Sequence, residues 1–116
     1  MLKAVILDRD GTINVDKGYD SKIKDFEFIP GALEGMKALY DQVYLLEIAT
    51  NQSGIGRGLF TYQDMFDVHE FMYKEMLNKG FALAHIAHCE HDPSFGCNCR
   101  KPKTGMLDVL IRSFSI

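Results

Sequence analysis

Residues 2–12 read Leu-Lys-Ala-Val-Ile-Leu-Asp-Arg-Asp-Gly-Thr, and the fold turns on this stretch. The short apolar run from Leu2 to Leu7, with β-branched Val5 and Ile6, has the composition of a strand buried on both faces of a parallel sheet. It stops at Asp8, where two carboxylates at alternate positions, Asp8 and Asp10, are followed by a glycine that lets the chain turn away. Such a terminus is either a polar strand end closed by an Asx turn or the start of a site. In the second case one acid serves as nucleophile or metal ligand and the other as acid/base, the division of labour that phosphoryl chemistry needs.

Working outward, Asn14 to Asp25 reads as a loop or small flap, and Pro30 and Gly31 end the brief alternation of Phe26, Phe28 and Ile29. Leu33, Met36 and Tyr40, widened by Ala32 and Leu39, predict a first helix. Val43 to Ala49 predicts a second strand ending on Thr50 and Asn51, with Glu47 an awkward guest that points to a partly open sheet face. Thr61, with Asp64 three residues on, predicts the cap of a long helix carrying Met65, Val68, Met72 and Met76 and closed by Gly80. Phe81 to His88 predicts a third strand, and a last helix starts near Thr104 or Gly105 with Leu107, Leu110, Ile111 and Phe114 on one side. Strand and helix alternate three times, the pattern of an α/β unit with parallel strands and right-handed crossovers. Ligands in such folds bind beyond the carboxyl ends of the strands, so Asp8, Thr50 and Cys89 should meet at one crevice. The expectation is a single domain over residues 1–116.

Composition narrows the function classes. Of the 116 residues, 47% are hydrophobic and 25% charged, which describes an ordinary globular domain, not a disordered or low-complexity chain. Thirteen Lys and Arg against sixteen Asp and Glu leave a formal charge of -3, which speaks against a nucleic-acid or membrane-surface binder. No apolar run is long enough to span a bilayer or to act as a signal-peptide core, and the expected compartment is the cytoplasm.

Two further motifs carry chemistry. Thr50 to Gly58, Thr-Asn-Gln-Ser-Gly-Ile-Gly-Arg-Gly, combines a hydroxyl, carboxamides and glycine-freed N–H groups that can wrap phosphate oxygens, unless it is only a long flexible loop. It lacks the Lys-Ser/Thr ending of a P-loop, and no Gly-x-Gly-x-x-Gly follows the first strand, so nucleotide and dinucleotide motifs are rejected. The chain's three cysteines all lie between positions 89 and 99, too few and too close for a disulfide framework. Cys89, His91, Cys97 and Cys99 match the ligand set of a closed tetrahedral zinc site, the alternative being free thiols in a reducing compartment. His85 and His88 read as bystanders, and His69 as a helix-surface or satisfied core residue. Arg100, Lys101 and Lys103 follow at once, either a solvated charge run or cations anchored opposite the carboxylates to neutralise a phosphate.

Over essentially the whole chain these motifs resemble the haloacid dehalogenase superfamily. Within it they are similar to the zinc-containing branch of D-glycero-D-manno-heptose 1,7-bisphosphate phosphatases and the related histidinol-phosphate phosphatases. Asp8 to Thr12 resembles the first superfamily motif, Thr50-Asn51 the second and Lys101 the basic residue of the third. Thr50 to Gly58 with Phe60-Thr61, and Arg100-Lys101-Pro102 leading to Gly105-Met106, favour the heptose branch. The five-residue gap between His91 and Cys97 is closer to the histidinol-phosphate type.

The resemblance implies a Rossmann-like three-layer sandwich with a parallel sheet and a zinc-binding loop, and a Mg2+-dependent phosphatase acting through an aspartyl-phosphate. Asp8 would be the nucleophile and Asp10 the acid/base. Asp8 and the Asp10 main-chain carbonyl would bind Mg2+. Thr50, Asn51 and Lys101 would hold the transferring oxygens, and Arg100 would contact a phosphorylated sugar or related phosphomonoester. Zinc on Cys89, His91, Cys97 and Cys99 would shape the loop. The superfamily places a fourth, acidic motif after the helix that here runs to Ile116, and Asp108, inside that helix, does not match it. The expectation is therefore a sheet cut short before that motif, with the flank of the first strand open to self-association. The competing expectation is a catalytically impaired, zinc-stabilised interaction domain.

Overall fold

A computed structural model describes residues 3–18, 22–91, 96–99, 101 and 103–114, the last three by backbone alone. Three parallel strands, β1 (Lys3–Leu7), β2 (Tyr44–Asn51) and β3 (His85–Cys89), form a sheet in the order β1-β2-β3. The register runs from Lys3 opposite Tyr44 to Leu7 opposite Ile48, and from Glu47 opposite His85 to Asn51 opposite Cys89. Each strand therefore ends at the same edge of the sheet, and Asp8, Gln52 and Glu90 are the first residues beyond it.

Helices α1 (Ala32–Asp41) and α2 (Tyr62–Asn78) cover one face, where Met36, Met72 and Met76 close on Leu46 and Ile48 of β2. Helix α3 (Gly105–Phe114) covers the other through Met106 and Leu110, against Ala49, Ala87 and Cys89. This is the three-layer α/β arrangement that alternating apolar runs predict. Helix α1 starts at Gly31, whose φ of 86° lies in the left-handed region that a side chain resists. The capping box of α2 is complete, Thr61 Oγ1 accepting from Asp64 N and the Asp64 carboxylate from Thr61 N. The flap is clipped to the body by Val15 N to Glu27 O and Ile29 N to Ile13 O. Phe26 and Phe28 add ring contacts to Phe71 of α2.

Three expectations need correction. The third strand is only His85–Cys89, because Phe81 and Leu83 reach the core from an irregular segment after Gly80. Ile111 does not join Leu110 inside: it is 42% exposed, turned away from the sheet by the helical period. Glu47 does not lie on an open face. It is fully buried in the central strand, and neither carboxylate oxygen has a hydrogen-bond partner among the described residues. Alternation puts it on the face of Ala49, and burial lifts its carboxyl above the ordinary 4.5.

A folded state that keeps this proton while the unfolded chain releases it loses stability as pH rises from the unfolded value through the raised one. Glu47→Leu should therefore stabilise the protein at neutral pH by about 1–3 kcal/mol, the cost of a buried unpaired polar group. The gain should shrink toward pH 4, and urea denaturation of both proteins across that range measures it.

Candidate active site and metal centre

At the carboxyl edge of the sheet a cleft of about 280 Å3 is lined by Asp8, Asp10, Asp16, Gly18, Asn51, Gln52, Ser53 and Lys101. Asp8 is half exposed. Its Oδ1 accepts from Lys101 Nζ at 2.6 Å and from Arg9 N at 2.9 Å, which leaves Oδ2 without a donor among the described residues. The Lys101 ammonium also donates to Ala49 O at 3.0 Å, and its backbone N donates to Asn51 Oδ1 at 3.0 Å. One cation from the late loop is thus fastened to the ends of both β1 and β2.

Asp10 is held differently. Its Oδ1 accepts from Arg9 Nε at 3.1 Å, Arg9 Nη2 at 2.7 Å and Asn14 Nδ2 at 3.0 Å, while among the described residues Oδ2 accepts only from Gln52 Nε2 at 3.1 Å. The same Gln52 amide donates to Thr50 Oγ1 at 2.9 Å. Arg9 is 1% exposed and donates through Nη1 to His69 Nε2 at 3.1 Å. Arginine has no acceptor, so this nitrogen of His69 must be the unprotonated one. Burial, and behind it the Arg9 charge, lower His69 from 6.5 to about 3.

The second cluster lies beyond β3. The ligand atoms of Cys89, His91, Cys97 and Cys99 all fall within 4.8 Å of one another. Cys89 Sγ is 3.4 Å from Cys97 Sγ and 3.7 Å from His91 Nδ1, and His91 Nδ1 is 3.2 Å from Cys99 Sγ. A tetrahedral Zn2+ with ordinary Zn–S and Zn–N bonds sets ligand-to-ligand edges of about 3.5–3.8 Å, so the donor set fits that metal in number, type and spacing. Burial, then the neighbouring thiols Cys89 and Cys97, push Cys99 up to about 12, and burial raises Cys89. Thiolates here need a bound cation to offset them. Gly105 closes the cluster from α3: a β-carbon on it would stand 2.6 Å from Asn98 O and 2.9 Å from Cys99 Cα, so no side chain fits. The cleft offers a different donor set, the carboxylate oxygens of Asp8, Asp10 and Asp16, which suits a hard cation such as Mg2+.

Asp8, Asp10, Asn51 and Lys101 thus meet at one cleft, and the four cluster residues at one point. Thr50 does not open onto the cleft wall: it is fully buried beneath Gln52. Lys103 turns from the cleft to donate to Cys97 O at 2.9 Å. Asp108, in the first turn of α3, accepts from the hydroxyl of Thr104, the residue just before the helix, at 3.3 Å. Arg100 and Pro102 lie outside the described residues. Arg9 has no role in the sequence motifs, while Asn14 and Asp16 figure there only as part of the flap and Gln52 only as one carboxamide of the Thr50–Gly58 loop. His69 was legible in part, since it follows Met65 by four residues and precedes Met72 by three, on the buried stripe of α2.

An Asp-x-Asp pair at the end of the first parallel strand, with a lysine from a distant loop on the first Asp, is the layout of a haloacid dehalogenase-like phosphatase. Residues 3–116 match the polynucleotide kinase 3 phosphatase family, and the chain belongs to it. A D-glycero-alpha-D-manno-heptose-1,7-bisphosphate 7-phosphatase of Campylobacter jejuni is 50% identical over 105 residues, covering 90% of this chain and 60% of that protein. A probable D-glycero-D-manno-heptose-1,7-bisphosphate 7-phosphatase of Thermoplasma volcanium is 36% identical over 115 residues, covering 99% and 79%. The crystal structure of D,D-heptose 1,7-bisphosphate phosphatase from B. bronchiseptica, complexed with magnesium and phosphate, superposes with a TM-score of 0.94 at 34% identity, covering 99% of this chain and 65% of that one. The chain thus spans 60–65% of the Campylobacter and B. bronchiseptica proteins.

The Arg9–His69 contact is testable through pH. The unfolded chain takes up a proton on His69 below 6.5 that the folded protein refuses down to about 3, so stability falls as pH drops through that window. His69→Gln keeps an acceptor for Arg9 but does not titrate. Relative to this variant, the parent protein should lose about 1.4 kcal/mol per pH unit between roughly pH 6 and pH 4, measured by urea denaturation.

Proposed function

We propose that this chain carries the nucleophile and phosphate-holding part of a Mg2+-dependent phosphatase. Its substrate on this reading is D-glycero-D-manno-heptose 1,7-bisphosphate, cleaved at the 7-phosphate through an aspartyl-phosphate. The observation that carries the reading is the Lys101–Asp8 contact at 2.6 Å on the wall of a cleft the size of a small phosphomonoester. The substrate comes from the names of the relatives. The net charge of -3 and the small cleft favour a small-molecule phosphate over a polynucleotide.

On this reading Asp8 attacks phosphorus through Oδ2, the oxygen with no donor among the described residues, while Lys101 and the Arg9 N–H hold Oδ1 in place. The bond from phosphorus to the sugar oxygen breaks, and Asp10 delivers a proton to that oxygen. Asp10 then takes a proton from the water that cleaves the acyl phosphate, which frees Asp8. Its Oδ2, with a single donor from Gln52, is the oxygen placed to exchange that proton, because three donors occupy Oδ1. Asn51 and Lys101 hold the transferring oxygens. Thr50 acts with them through Gln52, and Arg100 contacts the substrate.

The Asp8 carboxylate and the Asp10 main-chain carbonyl would hold Mg2+, which supplies the positive charge that lets a phosphate dianion approach a carboxylate. Zn2+ on Cys89, His91, Cys97 and Cys99 would brace the loop that carries Arg100 and Lys101. We assign the cytoplasm, where free thiols stay reduced, and no helix among the described residues is long and apolar enough to cross a membrane. One flank of β1 bears no strand among the described residues, which leaves room for a further strand, from this protein or a second copy.

Phosphate release from heptose 1,7-bisphosphate and from histidinol phosphate, with and without Mg2+, tests the reading. The expected outcome is Mg2+-dependent release from the heptose substrate, none from Asp8→Asn, and a loss of about 10²–10⁴-fold in Asp10→Asn, the usual worth of an acid/base. Release that survives Asp8→Asn sinks the nucleophile, and faster release from histidinol phosphate sinks the substrate.

A further inference from the structure

Outside the cleft, a polar cluster gathers on Glu90, a residue with no part in the chemistry above. Its Oε1 accepts from the Tyr62 hydroxyl at 2.8 Å and its Oε2 lies 3.2 Å from His88 Nδ1. Its main-chain carbonyl accepts from Gly56 N at 2.8 Å. Tyr62 stacks on Phe66, with ring centroids 6.3 Å apart, and both rings meet His88 edge-on at 6.2 and 6.1 Å. Glu90 thereby joins the start of α2, the loop after β2 and the end of β3.

Glu90 also faces His91. That imidazole turns Nδ1 into the thiols, 3.7 Å from Cys89 Sγ and 3.2 Å from Cys99 Sγ, and turns Nε2 toward Glu90 Oε1 at 3.9 Å. A histidine that ligates through Nδ1 carries its proton on Nε2, and an anion facing that proton sets the tautomer, fixes the ring plane and makes the ligating nitrogen more basic. We propose that Glu90 is the positioning residue of the metal centre, the carboxylate that holds His91 with Nδ1 toward the metal while Tyr62 and His88 hold the carboxylate. The inference rests on reading the four-residue cluster as a zinc site.

The site has a functional address. Gln52 N donates to Cys89 O at 2.7 Å, and Gly56 N donates to Glu90 O, so the residues that position His91 also hang the loop that carries Gln52 and Ser53 into the cleft. Orientation of the metal loop and shape of the phosphate-facing loop share one backbone.

The test is metal affinity, which does not depend on turnover. Zn2+ binding to the purified protein is measured by competition with a chromophoric chelator, and Co2+ substitution reports coordination through its visible absorption. The 15N shifts of the His91 ring identify the ligating nitrogen. One tightly bound equivalent is expected in the parent protein, with His91 bound through Nδ1. Glu90→Ala should weaken binding about 10–100-fold, the usual effect of losing such a partner. Glu90→Gln should fall between them, and Tyr62→Phe should weaken binding less than either. Should Glu90→Ala fail to fold, Glu90→Gln and Tyr62→Phe carry the comparison. Equal affinity and an unchanged His91 shift in the Glu90 variants overturn the role of Glu90. A parent protein that takes up neither metal overturns the zinc site itself, a separate result.

Discussion

A guanidinium buried to 1% exposure has to find a counter-charge and enough acceptors inside the fold, and in this protein Arg9 finds them in Asp10 and His69. Much of the cleft follows from that demand. Because Arg9 takes hold of Asp10 through two nitrogens, the carboxylate is fixed in one orientation, with Oδ1 turned to the protein and Oδ2 left to Gln52. Because the far end of Arg9 needs an acceptor, α2 carries a histidine on its buried stripe, and burial beside a cation keeps that histidine neutral. Breaking such a buried pair on one side strands the other, which is why the network couples β1, β2 and α2 more firmly than any one of its hydrogen bonds would.

The cleft also assembles like charges. Asp8, Asp10 and Asp16 line a space of about 280 Å3 and would repel both one another and a phosphate. Lys101 is the protein's own answer: it reaches Asp8 from a position 93 residues later in the chain. Its surface exposure would make the ion pair weak by itself. It gains definition from its supports, the Asn51 side chain under its backbone and Ala49 O beside its ammonium. The thiol cluster ends at Cys99, two residues before Lys101, so a metal there would shorten the free tether of that lysine to almost nothing.

How much of this was legible in the sequence varies with the range of the interaction. The three strands, the capping box at Thr61 and the methionine stripe of α2 were readable because period and capping are local. Phe81 and Leu83 misled because apolar residues in an irregular segment can reach a core as well as strand residues can. Glu47 misled because a charged residue in a strand usually marks solvent, and no local pattern announces a carboxylate buried without a partner among the described residues. The Cys/His cluster was readable because thiols and an imidazole within eleven residues have few other uses than holding a metal such as zinc. The contact of Glu90 beside that cluster with Tyr62 was not, since Tyr62 stands 28 residues before it.

By itself, then, the sequence determined the α/β alternation, the acids at the end of the first strand and the Cys/His donor set able to hold a metal. Each is written in spacing along one segment. Tertiary structure alone decided which oxygen of Asp8 and of Asp10 stays open, that Thr50 lies behind Gln52, that His69 serves Arg9, and which ring nitrogen of His91 faces the thiols. Those are choices between nearly equivalent atoms. Only the distances to donors brought in by other elements distinguish them, and such distances exist only once the strands have paired and the helices have closed over them.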